Sequence, residues 1–184
     1  MNKIGIKMSA KLNSSKMIYK GKVFSFFSDN VTLSNGLTTN IDVIRHPGAS
    51  AIVPFLNYNE IILIKQFRYA AGGFIWEIPA GVLSPGEAPL ECAKRELIEE
   101  TGYSAGKMEK LTEILPVPGY SDERIHIFLA TGLSESKQNL DDDEILKVHT
   151  LKLDTVMEMI GSGEITDSKT ISGVCLASRF LAHR

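Results

Sequence analysis

Three glutamates lie close together in a segment whose pattern predicts a helix. Glu96 and Glu100 are four residues apart, so a helix places them on one face, and Glu99 follows Glu96 by three positions. Neighbouring carboxylates repel one another and, without a cation, partly neutralise through raised pKa values. A hard divalent cation, which prefers oxygen ligands, relieves that repulsion. The spacing therefore predicts a metal site, whereas the plain alternative is a solvated acidic helix face.

The element that must position these glutamates is an amphipathic helix predicted over residues 90–101. Pro89 suits the first helical turn, where its missing N–H is not needed, and Gly102 suits a helix C-terminus. Arg95 precedes Glu99 by four residues and can hold its carboxylate. One apolar stripe on this helix is predicted to face the core: Leu90, Ala93 and Leu97.

The elements on either side of this helix predict an α/β sandwich with a mixed sheet between helices. Strand-like runs occupy residues 51–56, 61–67, 74–78, 110–115, 124–130 and 145–153. Two more helices are predicted near the C-terminus, one capped by Asp154 and ending at Gly161, and one capped by Asp167 or Ser168. In the last helix four residues are predicted to face inward: Ile171, Val174, Cys175 and Leu181.

The N-terminal part predicts a small antiparallel β sub-domain. Two strand-like runs meet at Asn35-Gly36, a strong turn signal, and Pro47-Gly48 ends the unit. The predicted organisation is a flexible extension over residues 1–16, a β sub-domain over 17–47 and a main domain over 48–184.

Composition narrows the function classes. The 184-residue chain has a net charge of −2 and no basic excess, so nonspecific binding to nucleic acid or to a membrane surface is not expected. No apolar run reaches the length of a membrane span, and no apolar stretch follows the N-terminal lysines as in a secretory signal. Cys92 and Cys175 are far apart and predict free thiols, which favours the cytoplasm.

The segment Gly81–Tyr103 matches the pattern GX5EX7REUXEEXGU at every polar and glycine position. Only Tyr103 departs from it, in a slot that prefers an aliphatic residue. On this pattern the chain resembles the Nudix hydrolases. Three further segments are similar to those of the ADP-ribose pyrophosphatase branch: Gln66–Tyr69, Trp76–Gly81 and Leu115–Glu123.

The resemblance implies the Nudix α/β/α sandwich and a Mg²⁺-dependent hydrolysis, with Mn²⁺ as the alternative ion. Glu96 and Glu100 would bind the metal, assisted by Glu99 and by the backbone carbonyl of Ala80. Water would attack a pyrophosphate and convert ADP-ribose to AMP and ribose 5-phosphate. The general base would come from an acidic loop after the motif. The candidates there are Glu144, placed first, and Asp142.

Several residues are candidates for substrate binding. Arg45 and Arg68 offer a bidentate fork to phosphate or ribose oxygens, although surface arginine is the plain alternative. Glu77 is a candidate for a ribose hydroxyl or a second metal. Phe24 is a candidate for stacking on the base across a dimer, with ordinary core packing as its alternative. The PGxSDE-like segment adds two candidates that would shape the substrate loop: Tyr120 and Ser121. The N-terminal hairpin resembles the dimerising sub-domain of the branch and implies a homodimer.

Three alternative functions remain. The same scaffold can hydrolyse other nucleoside diphosphate sugars, such as GDP-mannose or ADP-glucose. A Nudix domain can also sense a nucleotide without catalysis, but such a domain tolerates loss of the motif carboxylates, which all stand here. A housekeeping role on oxidised nucleoside triphosphates or RNA 5′ ends fits less well, because the N-terminal hairpin and the proline segment argue against it.

Overall fold

A computed structural model describes residues 10–182 of the chain. Within this range it has ten strands, three α-helices and a short 3-10 helix at Tyr69–Ala71. The strands are β1 (Lys11–Lys20), β2 (Ser25–Thr32), β3 (Thr38–Arg45), β4 (Ala49–Pro54), β5 (Glu60–Arg68), β6 (Gly73–Glu77), β7 (Ala80–Val82), β8 (Tyr103–Ile114), β9 (Ile125–Glu135) and β10 (Leu146–Lys152). The helices are α1 (Pro89–Thr101), α2 (Leu153–Ser162) and α3 (Ser168–Ala182).

Two compact units divide the described residues. The first comprises residues 10–47 together with 117–123, and the second comprises residues 48–116 and 124–182. The break after Pro47 falls where the sequence changes from a hairpin to core strands. The grouping of 117–123 with the first unit was not predicted, because its contacts are to a strand more than seventy residues earlier: the N–H of Ile44 donates to the carbonyl of Tyr120 at 2.7 Å.

The first unit contains an antiparallel sheet in the order β1-β2-β3. The turn between β2 and β3 lies at the predicted Asn35-Gly36, where Gly36 adopts a φ of 83°. Strand β1 begins at Lys11, so the prediction of a flexible extension is wrong for residues 11–16, while residues 1–9 lie outside the described residues. All ten side chains of β1 are exposed. Backbone pairing with β2 holds the strand in place. Because neither face of the strand is buried, its sequence does not alternate between apolar and polar residues, and the hydrophobic pattern did not predict it.

The second unit contains two sheets. One is antiparallel in the order β10-β5-β6, and the other has four strands in the order β7-β4-β9-β8. Strands β4 and β9 are parallel, whereas β4 pairs β7 and β8 pairs β9 antiparallel. The four-stranded sheet is therefore mixed, as predicted.

Alternate residues of β4 pack against helices on opposite faces of this sheet. Val53 lies in one core cluster with Val174 of α3, whereas Ile52 lies in another with Ala93 and Leu97 of α1. Because successive side chains of a strand point to opposite faces, α1 and α3 cover the two sides of the sheet. The predicted α/β/α sandwich is confirmed.

The helix ends depart from prediction in one case. Helix α2 begins after Lys152, without a side-chain cap, and ends before Gly163, so Asp154 lies in its first turn and does not cap it. Asp167 does cap α3, since its Oδ2 accepts the N–H of Thr170 at 3.0 Å. No helix within the described range is long and apolar enough to cross a membrane.

Candidate active site

Strand β7 and helix α1 bring the motif glycine against the motif glutamate. A Cβ built on Gly81 would lie 1.8 Å from Oε1 of Glu96, far inside van der Waals contact. Only a glycine therefore lets the Glu96 carboxylate occupy its place beside the strand. Burial raises the pKa of Glu96. The charge of Arg95 opposes this effect, and the charges of Glu99 and Glu144 add to it.

Glu100 is the most deeply buried carboxylate of the motif, with 1% of its surface exposed. Its Oε2 accepts the N–H of Ala80 at 2.8 Å, which links helix α1 to the start of β7. Burial raises the pKa of Glu100 well above its ordinary value. The Ala80 N–H opposes the shift, and the charges of Glu96 and Glu144 increase it. Its ionised form is thus disfavoured in the absence of a cation.

Arg95 connects the carboxylates around the helix. Its guanidinium donates to Oε1 of Glu96 at 2.6 Å and to Oε2 of Glu99 at 2.9 Å. It also grips both oxygens of Glu87, at 2.9 and 3.0 Å. These hydrogen bonds lower the pKa of Glu87 to about 2 and raise that of Arg95. Arg95 therefore orients the motif glutamates, as its i, i+4 spacing from Glu99 predicted.

The segment after β9 closes the C-terminal end of α1 and leads into the acidic loop. The side chain of Gln138 donates to the carbonyl of Glu100 at 2.6 Å, and the N–H of Asn139 donates to the carbonyl of Glu99 at 3.0 Å. These bonds satisfy carbonyls that a helix end leaves without partners. They also fix where the acidic loop begins.

The acidic loop places its two candidate bases differently. Glu144 is half-buried, its Oε2 accepts the N–H of Asp141 at 3.0 Å, and its charge raises the pKa of Glu96 and Glu100. Asp142 is exposed in the preceding turn. The charge of Glu144 therefore acts on the motif carboxylates, whereas Asp142 lies in the exposed turn before it.

Arg68 and Glu77 form a bidentate pair between β5 and β6. The Nε and Nη2 atoms of Arg68 donate to the two carboxylate oxygens of Glu77 at 3.0 and 2.7 Å. Glu77 is 2% exposed and also contacts Nζ of Lys169 at 3.0 Å. Burial opposes its ionisation, but these two cations outweigh it and lower the pKa of Glu77. Glu77 therefore orients Arg68, and its contact with a ribose hydroxyl or a second metal stays a prediction.

The remaining substrate candidates belong to the first unit. Arg45 pairs there with Asp29 and, at 3.2 Å, with Asp122. The segment 117–123 runs beside β3, so Arg45, Tyr120 and Ser121 come from two distant parts of the sequence and share this unit. Tyr120 is 55% exposed, and Oγ of Ser121 accepts the N–H of Glu123 at 3.1 Å.

Phe24 lies in the connection between β1 and β2, and 43% of its surface is exposed. Phe24 is therefore not among the buried core residues of the described chain, and its stacking on a base stays a prediction. Its carbonyl accepts the N–H of Gly21 at 2.9 Å, which closes the tight connection between the two strands.

The donor set of the motif fits a divalent cation. Glu96 and Glu100 are buried carboxylates whose pKa values are raised, and hard cations prefer such oxygen ligands. In the conformation described for residues 10–182, no three His, Cys, Asp or Glu side chains converge as a ready metal cage. In this conformation the guanidinium of Arg95 pairs with Glu96 and Glu99.

Sequence reasoning missed the groups that support the site from outside the motif. Lys169 and Thr170 begin the last helix, and Gln138 lies in a connection without regular structure. None carries a local signal, because their partners are 38 to 92 residues away: Glu100 for Gln138, Ile78 for Thr170 and Glu77 for Lys169. In the sequence, the polar run Asp167-Ser168-Lys169-Thr170 indicated only where the last helix begins.

The α/β/α sandwich and the arginine-tethered glutamates of α1 define the Nudix class of folds and sites. The NUDIX domain family matches residues 45–171, and the chain belongs to this family. Members of the family generally use divalent metal ions.

Two relatives are similar over most of the chain. An ADP-ribose pyrophosphatase of Bacillus subtilis (strain 168) is 40% identical over 89% of this chain and 89% of its own length. A methanol dehydrogenase activator of Bacillus methanolicus is 41% identical over 89% of this chain and 90% of its own length. A crystal structure of an ADP compounds hydrolase covers 95% of both chains with a TM-score of 0.83 at 22% identity, which shows the shared fold.

Proposed function

We propose that this chain hydrolyses the pyrophosphate bond of nucleoside diphosphate sugars and that ADP-ribose is its substrate. The observation that carries the proposal is the set of buried glutamates on α1, which stand intact beside the glycine that their packing requires. A domain that only senses nucleotides has no need to keep carboxylates in a place where burial disfavours their charge. The similarity to a protein named ADP-ribose pyrophosphatase supports the choice of substrate.

The metal ion is proposed to be Mg²⁺, with Mn²⁺ as the alternative. Glu96 and Glu100 would hold it, with Glu99 and the carbonyl of Ala80 as further ligands. When bound, Mg²⁺ would neutralise charge on the diphosphate and lower the pKa of a bound water.

The chain's own residues supply the remaining chemistry. Glu144 is proposed to take a proton from the attacking water, because its charge already acts on the motif carboxylates. The water oxygen forms a bond to one phosphorus, and the bridging P–O bond breaks to release AMP and ribose 5-phosphate. Arg95 keeps Glu96 and Glu99 oriented during this step, and Arg68 offers its guanidinium to an anionic oxygen of the diphosphate.

The chain is further proposed to act as a homodimer through its first unit. Strand β1 has every side chain exposed and forms one edge of its sheet. Large apolar side chains on it are more than half exposed: Leu12, Met17, Ile18 and Tyr19. An exposed edge strand with apolar side chains is a surface that a second copy can cover. The cytoplasmic location also stays a proposal, supported by two thiols, Cys92 and Cys175, that form no disulfide.

The decisive experiment is a substrate panel with Mg²⁺, scored by kcat/KM. Purified chain is incubated with ADP-ribose, ADP-glucose and GDP-mannose, and alkaline phosphatase is added to release phosphate from the products. We expect the highest kcat/KM for ADP-ribose, no release with EDTA, and a turnover reduced by more than about 100-fold in Glu100→Gln. A higher kcat/KM for GDP-mannose than for ADP-ribose would show that ADP-ribose is not the preferred substrate. Silence of the wild type on every nucleotide sugar would refute the hydrolase.

A further inference from the structure

A network of four charged side chains lies outside the motif, at the point where α3 meets β5 and β6. It runs from Arg68 through Glu77 and Lys169 to Asp167. Nζ of Lys169 lies 3.0 Å from Oε2 of Glu77 and 3.0 Å from Oδ2 of Asp167. Glu77 and Lys169 are 2% and 9% exposed. Each of these buried charges needs a partner of opposite charge, because an unpaired buried charge carries a large desolvation penalty.

Lys169 is held firmly by the helix that carries it. Asp167, which caps α3, accepts three hydrogen bonds: from Nζ of Lys169, from the backbone N–H of Thr170 and from the hydroxyl of Thr170. The Thr170 hydroxyl in turn accepts the N–H of Ile78 at 2.8 Å, next to Glu77. The first turn of α3 is thus fixed against the end of β6, and Lys169 has little freedom to leave Glu77.

Glu77 binds two of the three guanidinium nitrogens of Arg68 and leaves the third for another ligand. Only Nε and Nη2 of Arg68 take part in the pair, so Nη1 does not. The Arg68 side chain remains 41% exposed, and its charge lowers the pKa of Glu100. The guanidinium therefore acts on the motif carboxylates while it still faces solvent.

Lys169 determines how firmly Glu77 is held for Arg68. The network of Arg68, Glu77, Lys169 and Asp167 is formally neutral, as a lone Arg68–Glu77 pair would be, so net charge does not distinguish the two. Lys169 contributes by holding the Glu77 carboxylate in one position, which keeps the two hydrogen bonds to Arg68 in one geometry. A planar fork held in one orientation also loses less entropy when a phosphate binds.

We propose that Lys169 is a positioning residue for the substrate diphosphate, which shares Glu77 with Arg68 and so fixes the Arg68 guanidinium for an anionic oxygen. This inference rests on the proposed function, since it takes the diphosphate of a nucleoside diphosphate sugar as the ligand. Lys169 acts through Glu77 and Arg68 and does not itself contact substrate.

The test compares Lys169→Met with Lys169→Arg. Methionine keeps most of the side-chain volume but loses the charge, so we expect KM for ADP-ribose to rise about tenfold, with a smaller change in kcat. Arginine restores the charge, so Lys169→Arg should return KM to within about threefold of the wild type. Lys94→Met is the matched control, because Lys94 also pairs with a glutamate, Glu91 at 2.8 Å, but on the exposed face of α1.

Calorimetric titration of ADP-ribose in EDTA supplies a readout that needs neither metal nor turnover. We expect Kd to rise about tenfold in Lys169→Met, in parallel with KM. The double variant Arg68→Lys with Lys169→Met should bind no more weakly than Arg68→Lys alone, because the two residues act as one unit.

Three results would overturn the inference. One is wild-type Kd and KM in Lys169→Met, and another is additive losses in the double variant. The third is a change in kcat alone that Lys169→Arg fails to rescue, which would indicate a purely structural role. Failure of the proposed function looks different, because the wild type would then release no phosphate from any nucleotide sugar.

Discussion

Replacement of Gly81 by alanine tests whether the place of the Glu96 carboxylate controls catalysis. The new Cβ would lie 1.8 Å from Oε1, 2.0 Å from Cδ and 2.5 Å from Oε2 of Glu96. Ordinary contact begins at 3.4 Å, so the carboxylate must retreat by about 1.6 Å. Gly81 is absent from the glycines with positive φ, so alanine strains no backbone torsion and acts through this clash alone.

The size of the effect follows from that displacement. A misplacement of about 1 Å in a catalytic group can reduce turnover about 100-fold, so we expect kcat with ADP-ribose to fall by at least about 100-fold in Gly81→Ala. The carboxylate also leaves its hydrogen bond to Arg95 at 2.6 Å. The loss of stability should therefore be modest, about 1 kcal/mol.

The assay measures kcat over a range of Mg²⁺ concentrations together with the thermal unfolding midpoint. Gly73→Ala is the matched control: Gly73 also lies in a strand, has no positive φ, and a Cβ there would meet nothing within 4 Å. We expect the control to keep kcat within about twofold of the wild type. A Gly81→Ala variant that kept wild-type kcat and metal dependence would show that the Glu96 position seen here does not matter for turnover.

Three further predictions concern buried polar groups. Glu100→Gln in EDTA at pH 8 should raise the free energy of unfolding by about 1 kcal/mol, although it reduces turnover by more than about 100-fold, because it removes a carboxyl group whose ionisation burial disfavours; a lower unfolding midpoint would contradict this. Glu77 has a pKa below its ordinary value of 4.5, so the stability it contributes is present above pH 4.5 and is lost as the pH falls through the lower folded value. Urea unfolding of Glu77→Gln should thus show a deficit of about 3 kcal/mol that is constant from pH 6 to 8 and shrinks below pH 4. Thr170→Val should lower stability by about 2 kcal/mol, because it leaves the buried N–H of Ile78 without an acceptor, whereas Thr170→Ser should retain it.

The sequence predicted the elements whose signals are local. Helix α1 and the Asn35-Gly36 turn follow from proline, glycine and periodic apolar residues, and the structure has them where the pattern placed them. The inward face of α3 was predicted less well. Val174 is buried, but Cys175 is exposed. Ala177 takes the buried position, since a helix advances 3.6 residues per turn and α3 is rotated so that 174 and 177 share the core stripe.

Strand β8 shows a second limit of local reasoning. The strand begins at Tyr103, seven positions before the predicted strand, and Gly106 and Lys107 interrupt the apolar pattern of its first half. The strand exists because β9 provides a pairing partner along its whole length, from Glu135 back to Ile125. Pairing energy that comes from a distant strand leaves no trace in the hydrophobic pattern of the strand that receives it.

The same reasoning explains why the motif alone does not define the site. The motif specifies carboxylates whose ionisation burial disfavours, and a fold must hold them in place. Arg95 does so from within the motif, but Ala80, Gln138 and the first turn of α3 do so from outside it, through backbone groups and caps that many residue types could supply. The carboxylates of the site therefore require fixed residue types, whereas the groups that hold them require only fixed positions. For that reason a sequence pattern identifies the carboxylates, and only a structure identifies the groups that hold them.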